Sequence, residues 1–344
     1  MLEDRSKNLG IKNLGIVVIG RNEGDRLRQC LLSVLDSAPD IIYVDSGSTD
    51  NSVAMAKSLG VEVLELDLTV PFTAARARNE GLTKLLQLHP ELTYVQFVDG
   101  DCEVVPGWLE QAYEVLTTNA DWVVVCGRRR ERYPGRSLYN FLCDLEWNTP
   151  VGEAKACGGD AMMRVAAWQE VNGFDPSLIA GEESELCLRL RRQGGKIVRL
   201  SGDMTLHDAQ MTRFGQWWQR SVRSGYAYAA GAGLHGQAPE RHRVKETKSI
   251  WLWGGIVPAI ALATVGLSHG WSLVLLFAYP LLVYKIYRYL KTRYSSRHAL
   301  IYALNCVLIK FPQIQGQIQF SLNKLLGRKQ SILEYKAPST VSSK

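Results

Sequence analysis

Apolar positions along this chain fall into two regimes. From residue 15 to about residue 206, short apolar runs are separated by amphipathic stretches. Residues 15–20 (GIVVIG) form a β-branched run closed by glycine, the pattern of a buried strand. Leu27, Leu31, Leu32 and Leu35 then recur at helical spacing. A second strand is expected at 41–44, a third at 61–66 and a fourth at 94–98 (YVQFV), with a helix over 74–88. A later strand is expected at 196–200. Strands alternating with helices predict an α/β fold, a mostly parallel sheet with helices on both faces. In such sheets ligands bind at the carboxyl ends of the strands. Asp45 and the pair Asp99 and Asp101 fall there.

The second regime begins near residue 250. Residues 250–267 (IWLWGGIVPAIALATVGL) and 271–290 (WSLVLLFAYPLLVYKIYRYL) are each about long enough to cross a hydrocarbon core as a helix. Only Ser268, His269 and Gly270 separate them, so a transmembrane hairpin is expected. A buried hairpin of a soluble core is the plainer alternative, but it should show a polar face. Residues 299–311 are apolar but shorter, carry Lys310 and precede Pro312; they read as an in-plane amphipathic helix, with a third crossing as the alternative.

Charge sharpens this division. The 344 residues carry a net charge of +6, which by itself would admit a nucleic-acid binder. The excess gathers around the apolar segment instead. Arg241, Arg243, Lys245 and Lys248 precede it, and Lys285, Arg288, Lys291, Arg293 and Arg297 close it. Such flanks suit an anionic membrane surface, and the positive-inside rule puts both ends of the hairpin in the cytoplasm. No nucleic-acid partner is expected. Seven scattered cysteines without a CxxC suggest neither a disulfide framework nor a zinc site, and fit a reducing compartment. The polar stretch 1–13 has no apolar h-region, so no cleaved signal peptide is expected.

Three clusters carry candidate chemistry. Asp99–Gly100–Asp101 follows a predicted strand, and its two carboxylates are hard oxygen ligands suited to Mg²⁺ or Mn²⁺; an ordinary polar turn is the plainer reading. In Val44–Asp45–Ser46–Gly47–Ser48–Thr49–Asp50, Asp45 is placed to accept hydrogen bonds from a nucleobase or ribose, while Thr49 or Asp50 caps the following helix. The third cluster is Gly158–Gly159–Asp160, Gly173–Phe174–Asp175 and Gly181–Glu182–Glu183–Ser184–Glu185. Acidic residues at a helix start also serve the helix dipole. Yet a transfer reaction needs a base on the acceptor hydroxyl, and one of these glutamates is the natural candidate.

Taken together, residues 15–206 resemble the family 2 glycosyltransferases. The resemblance rests on the opening strand with Arg21–Asn22–Glu23, on VDSGSTD, ARARNEG, VDGD, GGF-like and GEESELCLRLRRQGG stretches, in order and spacing. It implies a GT-A fold and inverting transfer from a nucleotide-diphosphate sugar. It implies Asp45 and Arg78 near the base or ribose, Asp99 near the nucleotide and Asp101 on the metal. Arg76, Gly158 and Gly159 join the donor-side candidates, and Asp99 and His207 the metal candidates. A lone histidine is more often structural. Where the family has Gly-Glu-Asp, this chain has Gly181–Glu182–Glu183, so the base position falls on Glu183, with Glu182 as alternate. Ser46 replaces the family's second aspartate in VDDGSTD. Gln216–Trp217–Trp218–Gln219–Arg220 is loosely similar to the QxxRW element of membrane-bound synthases. Trp217, Trp218 and Arg220 are therefore candidates for the acceptor side or for membrane anchoring.

The expected organisation is a polar tail at 1–13, a GT-A domain at 14–245, two transmembrane helices within 250–290, an amphipathic helical segment at 298–327 and a polar tail at 328–344. The expected function is metal-dependent transfer of a sugar to a lipid-linked or polysaccharide acceptor at the cytoplasmic membrane face. Three readings compete with it: a processive polysaccharide synthase, which would need more helices for a channel; an inactive membrane scaffold; and a nucleotidyltransferase, which would release diphosphate.

Overall fold

The computed structural model describes residue 11 and residues 13–38 and 40–328. Most of the expected tails at 1–13 and 328–344 therefore lie outside the described residues. The chain divides into two compact units, the first ending at Gln210 and the second starting at Met211.

The first unit is built on nine strands: β1 (Leu14–Gly20), β2 (Asp40–Asp45), β3 (Glu62–Glu65), β4 (Tyr94–Asp99), β5 (Cys102–Val104), β6 (Trp122–Glu131), β7 (Gly152–Ala154), β8 (Ala161–Arg164) and β9 (Lys196–His207). They form one sheet in the order β3-β2-β1-β4-β8-β6-β9-β5, with β7 on β9. Helices α1 (Asp25–Leu32), α2 (Ser52–Ser58), α3 (Ala74–Leu88), α4 (Trp108–Thr118), α5 (Leu138–Trp147), α6 (Val165–Glu170) and α7 (Glu182–Arg192) connect them. Apolar side chains of β1, β2 and β4 are almost wholly buried, which is why these strands read as continuous apolar runs. The polar interruption in β4, Gln96, is satisfied inside the core: it accepts from the Trp108 indole at 3.0 Å and donates to the Phe97 carbonyl at 2.7 Å.

The sheet departs from the mostly parallel one expected. Pairs β1–β2, β1–β4, β2–β3 and β6–β9 are parallel. Pairs β4–β8, β6–β8, β5–β9 and β7–β9 are antiparallel. The four-residue β8 causes the change, because it enters between β4 and β6 running against both. This insertion has a chemical consequence. The residues before β8 are brought beside the carboxyl end of β4, since Phe97 pairs with Ala161.

The second unit is helical: α8 (Phe214–His235), α9 (Val244–Ile250), a π turn at Trp251–Ile256, α10 (Val257–Ala263), a 3₁₀ turn at Trp271–Phe277, α11 (Ala278–Leu290), α12 (Ser296–Leu308) and α13 (Lys310–Leu325). Helix α8 lies close against α13 because glycines face the crossing. A Cβ on Gly225 or Gly316 would meet the backbone of the other helix. The first apolar segment stops being helical at Ala263, earlier than residue 267, and the connection spans 264–270. It folds back on the second segment. Ser272 donates to the Ala261 carbonyl at 2.7 Å and Tyr279 to the Trp253 carbonyl at 2.5 Å. Among the described residues one helix, Trp271–Leu290, is long and apolar enough to cross a membrane.

Candidate active site

The chemistry-bearing side chains of the first unit converge at one end of its sheet. Parallel strands bring the carboxyl ends of β1, β2 and β4 there. Antiparallel β8 adds its amino end, and β6 and β9 add Arg129, Thr205 and His207 through the pairs Arg129–Thr205 and Glu131–His207.

At the centre Asp99 ends β4 with a guanidinium on each oxygen. Arg78 Nη2 donates to Oδ1 at 2.7 Å and Arg129 Nη2 to Oδ2 at 3.0 Å. The Asp99 backbone N–H donates to Asp160 Oδ1 at 2.9 Å. Asp160 is fully buried, and its Oδ2 accepts from Arg129 Nε at 3.0 Å and from the Thr205 hydroxyl at 2.7 Å. Arg129 also lies across the Trp147 ring. These bonds close a buried ring of paired charges, the arrangement that makes interior charge tolerable. Gly159 is required beside it. A Cβ there would lie 2.5 Å from Arg78 Nη2 and 2.7 Å from Asp99 Oδ2.

Arg78 extends the network to the start of α7. Its Nη1 donates to Glu182 Oε1 at 2.8 Å, while Glu183 Oε1 stands 3.9 Å from Nη2. Burial works against the Arg78 charge, but Asp99, Glu183 and Glu182 outweigh it and raise its pKa. The two glutamates thereby differ in their surroundings. Glu182 is buried and tied to Arg78. The Glu183 side chain keeps 22% of its surface. Burial, together with the Glu182 charge, pushes its carboxyl up to about 7 against the pull of Arg78. Glu185 serves the helix instead: it pairs with Arg189 at 2.6 Å, and Arg189 holds the carbonyls of Val171 and Gly173.

A second group lies alongside. His207 Nε2 is 3.2 Å from Asp101 Oδ2, both side chains buried, and the His207 ring meets Trp147 edge-on at 4.7 Å. Burial lowers the His207 pKa, but Asp101 and Glu131 outweigh it and the net shift is upward. His207 Nδ1 is buried without a hydrogen-bond partner. At this end of the sheet two groups place ligating atoms within 4.8 Å of one another: Asp101, Cys102 and His207, and Asp99, Cys102 and Asp160. The first fits a divalent ion better. In the second, the carboxylates already hold guanidinium groups that a cation would have to displace. Asp99, expected on the metal as well as on the nucleotide, is thus bound to Arg78 and Arg129. The Asp101 carboxylate is the hard ligand that suits Mn²⁺ or Mg²⁺, and the His207 imidazole adds a nitrogen donor.

Other expected residues sit differently. Asp45 is buried, and its carboxylate accepts from the Tyr43 hydroxyl at 2.7 Å and from the N–H groups of Gly47 and Ser48 at 2.9 and 2.7 Å. These bonds hold its own turn. Asn22 ties that turn to the end of β1 through the N–H of Thr49 at 2.7 Å. Arg76 pairs with Glu80 and donates to the carbonyls of Asp67 and Val70 at 2.9 and 2.8 Å, so it braces the 67–70 loop. Gly158 has open space where a side chain would stand. In the second unit Trp217 is only 7% exposed and donates to Asn305 Oδ1 at 3.0 Å, which packs it within that unit. Trp218 donates to Gln315 Oε1 at 2.9 Å, and Arg220 is half-buried. Arg129 and Thr205 were missed by sequence reasoning. The run Arg128–Arg129–Arg130–Glu131 looks like a solvated charged stretch, and the only signal in it is its position at the end of a β-branched run.

Residues 15–153 match the family model described as glycosyl transferase family 2. Residues 140–213 match the one described as the N-terminal domain of galactosyltransferase. The uncharacterized glycosyltransferase YibD of Escherichia coli is 34% identical over 122 residues, which are 32% of this chain and 34% of that protein. A TPR repeat-containing protein of Synechococcus elongatus is 36% identical over 138 residues, covering 40% of this chain and 32% of that protein. The chain thus spans about a third of the length of the curated relatives it matches. Among solved structures, the mannosyltransferase PcManGT of Pyrobaculum calidifontis, in complex with GDP-Man and Mn²⁺, superposes with a TM-score of 0.61 at 16% identity, covering 91% of this chain and 88% of that one. At that identity the likeness is one of fold.

Proposed function

Because residues 15–153 carry a family 2 glycosyltransferase domain, we propose that this chain transfers a sugar from a nucleotide-diphosphate donor, with inversion, to a lipid-linked or polysaccharide acceptor at the cytoplasmic face of a membrane. The observation that carries this reading is the separation of Glu182 from Glu183 beside the Asp99–Arg78 pair. A base works best when its pKa lies near the operating pH. Glu183, pushed up to about 7, meets that condition, whereas Glu182 is held by Arg78.

In this mechanism Glu183 accepts the proton of the acceptor hydroxyl. The hydroxyl oxygen forms the new bond to the anomeric carbon on the face opposite the nucleoside diphosphate, which leaves with the bonding pair. Arg78 and Arg129 hold Asp99 in place, so that this carboxylate meets the donor in one fixed orientation. Asp101 and His207 would hold Mn²⁺ or Mg²⁺, as the Mn²⁺ complex of the similarly folded mannosyltransferase also suggests. When bound, the metal neutralises the charge that develops on the departing diphosphate.

The membrane part of the proposal draws on the second unit. Its 271–290 helix has the length and apolarity of a span, and basic residues crowd the helix end at 285–297. With 250–263 folded back on it, a two-helix anchor is the arrangement we favour.

Calorimetric titration of the detergent-purified chain with UDP and GDP, with and without Mn²⁺, tests the donor site. We expect metal-dependent binding of one nucleotide and its loss in Asp101→Ala. Binding that ignores Mn²⁺ and survives Asp101→Ala would overturn the metal assignment. Failure of both nucleotides to bind would overturn the proposed choice of donor.

A further inference from the structure

A groove of about 880 Å³ runs between α11 and α12 and reaches Phe311 at the start of α13. Clefts of about 300–1,000 Å³ are the usual size of small-ligand sites. Val283, Leu304 and Phe311 make it apolar along most of its length, and Tyr284, Tyr287 and Arg297 also line it. The two helices are antiparallel and joined by the short turn 291–295, which orders these residues. Arg297 lies near the turn, and Phe311 lies at the far end. The helices pack through Leu290, Ala299 and Ala303, and the two small alanine side chains leave room for the groove beside that contact.

Charge is distributed just as unevenly. Residues 247–333 contain no Asp or Glu. The turn end of the groove nevertheless carries Arg288, Lys291, Arg293 and Arg297, all exposed. Two of these cations rest on the tyrosines that line the groove. Arg288 Nη1 donates to the Tyr284 hydroxyl at 3.1 Å, and Lys291 Nζ sits 5.9 Å from the centre of the Tyr287 ring. An apolar trough with a cationic mouth, on a segment that supplies no carboxylate, is complementary to an anionic amphiphile. The 13 residues of α11 extend about 20 Å. One leaflet of a hydrocarbon core is about 15 Å deep, half of a full core of about 30 Å.

We propose that this groove binds one anionic phospholipid of the surrounding bilayer, with its acyl chains along Val283, Leu304 and Phe311 and its phosphate held by Arg297 together with Arg288 and Lys291. The inference rests on the membrane half of the reading above and not on the transfer chemistry. It differs from diffuse attraction to an anionic surface. A discrete site takes one lipid per chain, saturates, and depends on the shape of the groove as well as on its charge.

The test uses the full chain in neutral detergent, titrated with palmitoyl-oleoyl phosphatidylglycerol or with the phosphatidylcholine of the same chains, and retained lipid is counted by native mass spectrometry. We expect one phosphatidylglycerol per chain, bound at least tenfold tighter than phosphatidylcholine. Arg288→Glu with Arg297→Glu, both at exposed positions, should bring the two lipids level. Leu300→Trp with Leu304→Trp, which narrows the groove from exposed positions, should weaken both. Equal retention of the two lipids by the unaltered chain, or unchanged phosphatidylglycerol binding in both variants, overturns the site. Flotation with vesicles of the two lipids separates the premises. A chain that floats but shows no selective lipid refutes only the groove. A chain that floats with neither removes the membrane reading and this site with it, and leaves the nucleotide titration untouched.

Discussion

The two units of this chain treat apolar and charged side chains in opposite ways. Among the described residues, seven large hydrophobic side chains are exposed before residue 211 and 24 after it. The first unit inverts the pattern for charge. It buries Arg78, Asp101, Asp160, Glu182 and Glu185. Among its described residues the second buries no charged side chain; its basic residues are half-buried or exposed. Burying ions is costly unless they are paired, so a fold that concentrates them at one end of a sheet does so for a reason other than stability. Exposing two dozen large apolar side chains on one helical unit is likewise unfavourable in water. Under the proposed function each unit answers to something outside itself: the first to a polar donor, the second to an apolar phase.

The largest effect that would break this contrast is expected at Glu183. Glu183→Gln should lower the transfer rate by about 10²–10⁴, the usual worth of a general base. In the unaltered chain the rate should fall below about pH 7 as Glu183 takes up its proton. The variant should lose that acid limb. Stability should move the other way. The folded chain holds this proton between its ordinary value of 4.5 and about 7, where the unfolded chain has already released it. Folding stability therefore declines as pH rises through that window. Glu183→Gln removes the decline, so the variant should melt higher than the parent at pH 8 and together with it at pH 4. A variant that loses activity and stability together would mean that Glu183 is an ordinary structural carboxylate.

How far the sequence disclosed this arrangement depended on how local each signal was. The strands at 14–20, 40–45 and 94–99 were legible because both faces are buried, which leaves unbroken apolar runs. The helix Ala74–Leu88 was legible as well, and the structure adds its cap, Thr73 accepting from the Arg76 N–H at 3.0 Å. The antiparallel strand β8 was not legible. Four residues, AMMR, carry no period, and its direction is set by its partners β4 and β6. Arg129 was hidden for the same reason. Its partners Asp99 and Asp160 lie 30 and 31 positions away, and only the sheet brings them together. Asp45 is the converse case, a wholly local signal. Its motif was conspicuous, but the donors that reach its carboxylate come from residues 43, 47 and 48.

A smaller effect tests the second unit. A Cβ on Gly316 would run into the Val222 carbonyl and crowd the Tyr226 N–H, both backbone atoms that cannot turn aside. Gly316→Ala should cost about 1–3 kcal/mol, as overpacking does in close-packed interiors. The loss should appear in the melting of the helical segment. Nucleotide affinity, carried by residues before 211, should stay within about twofold of the parent, since well-separated sites behave nearly additively. A large fall in nucleotide affinity would instead mean that the close crossing of α8 and α13 supports the donor site.

The smallest effect decides between two readings of one residue. If Trp217 stacked on an acceptor sugar, Trp217→Phe would keep an aromatic face and Trp217→Ala would abolish acceptor use. The structure puts the indole inside the helical unit with its N–H on Asn305. On that basis Trp217→Phe should cost the net worth of one hydrogen bond plus the stranded Asn305 acceptor, about 1–2 kcal/mol. The acceptor KM should not move. Asn305→Leu made together with Trp217→Phe removes both polar partners, and replacing a buried pair by apolar groups is close to neutral. The double variant should therefore recover most of the lost melting temperature. Recovery with an unchanged acceptor KM would place Trp217 in the packing of the second unit. An acceptor KM raised in both variants, whatever the melting temperature, would return the residue to the acceptor site.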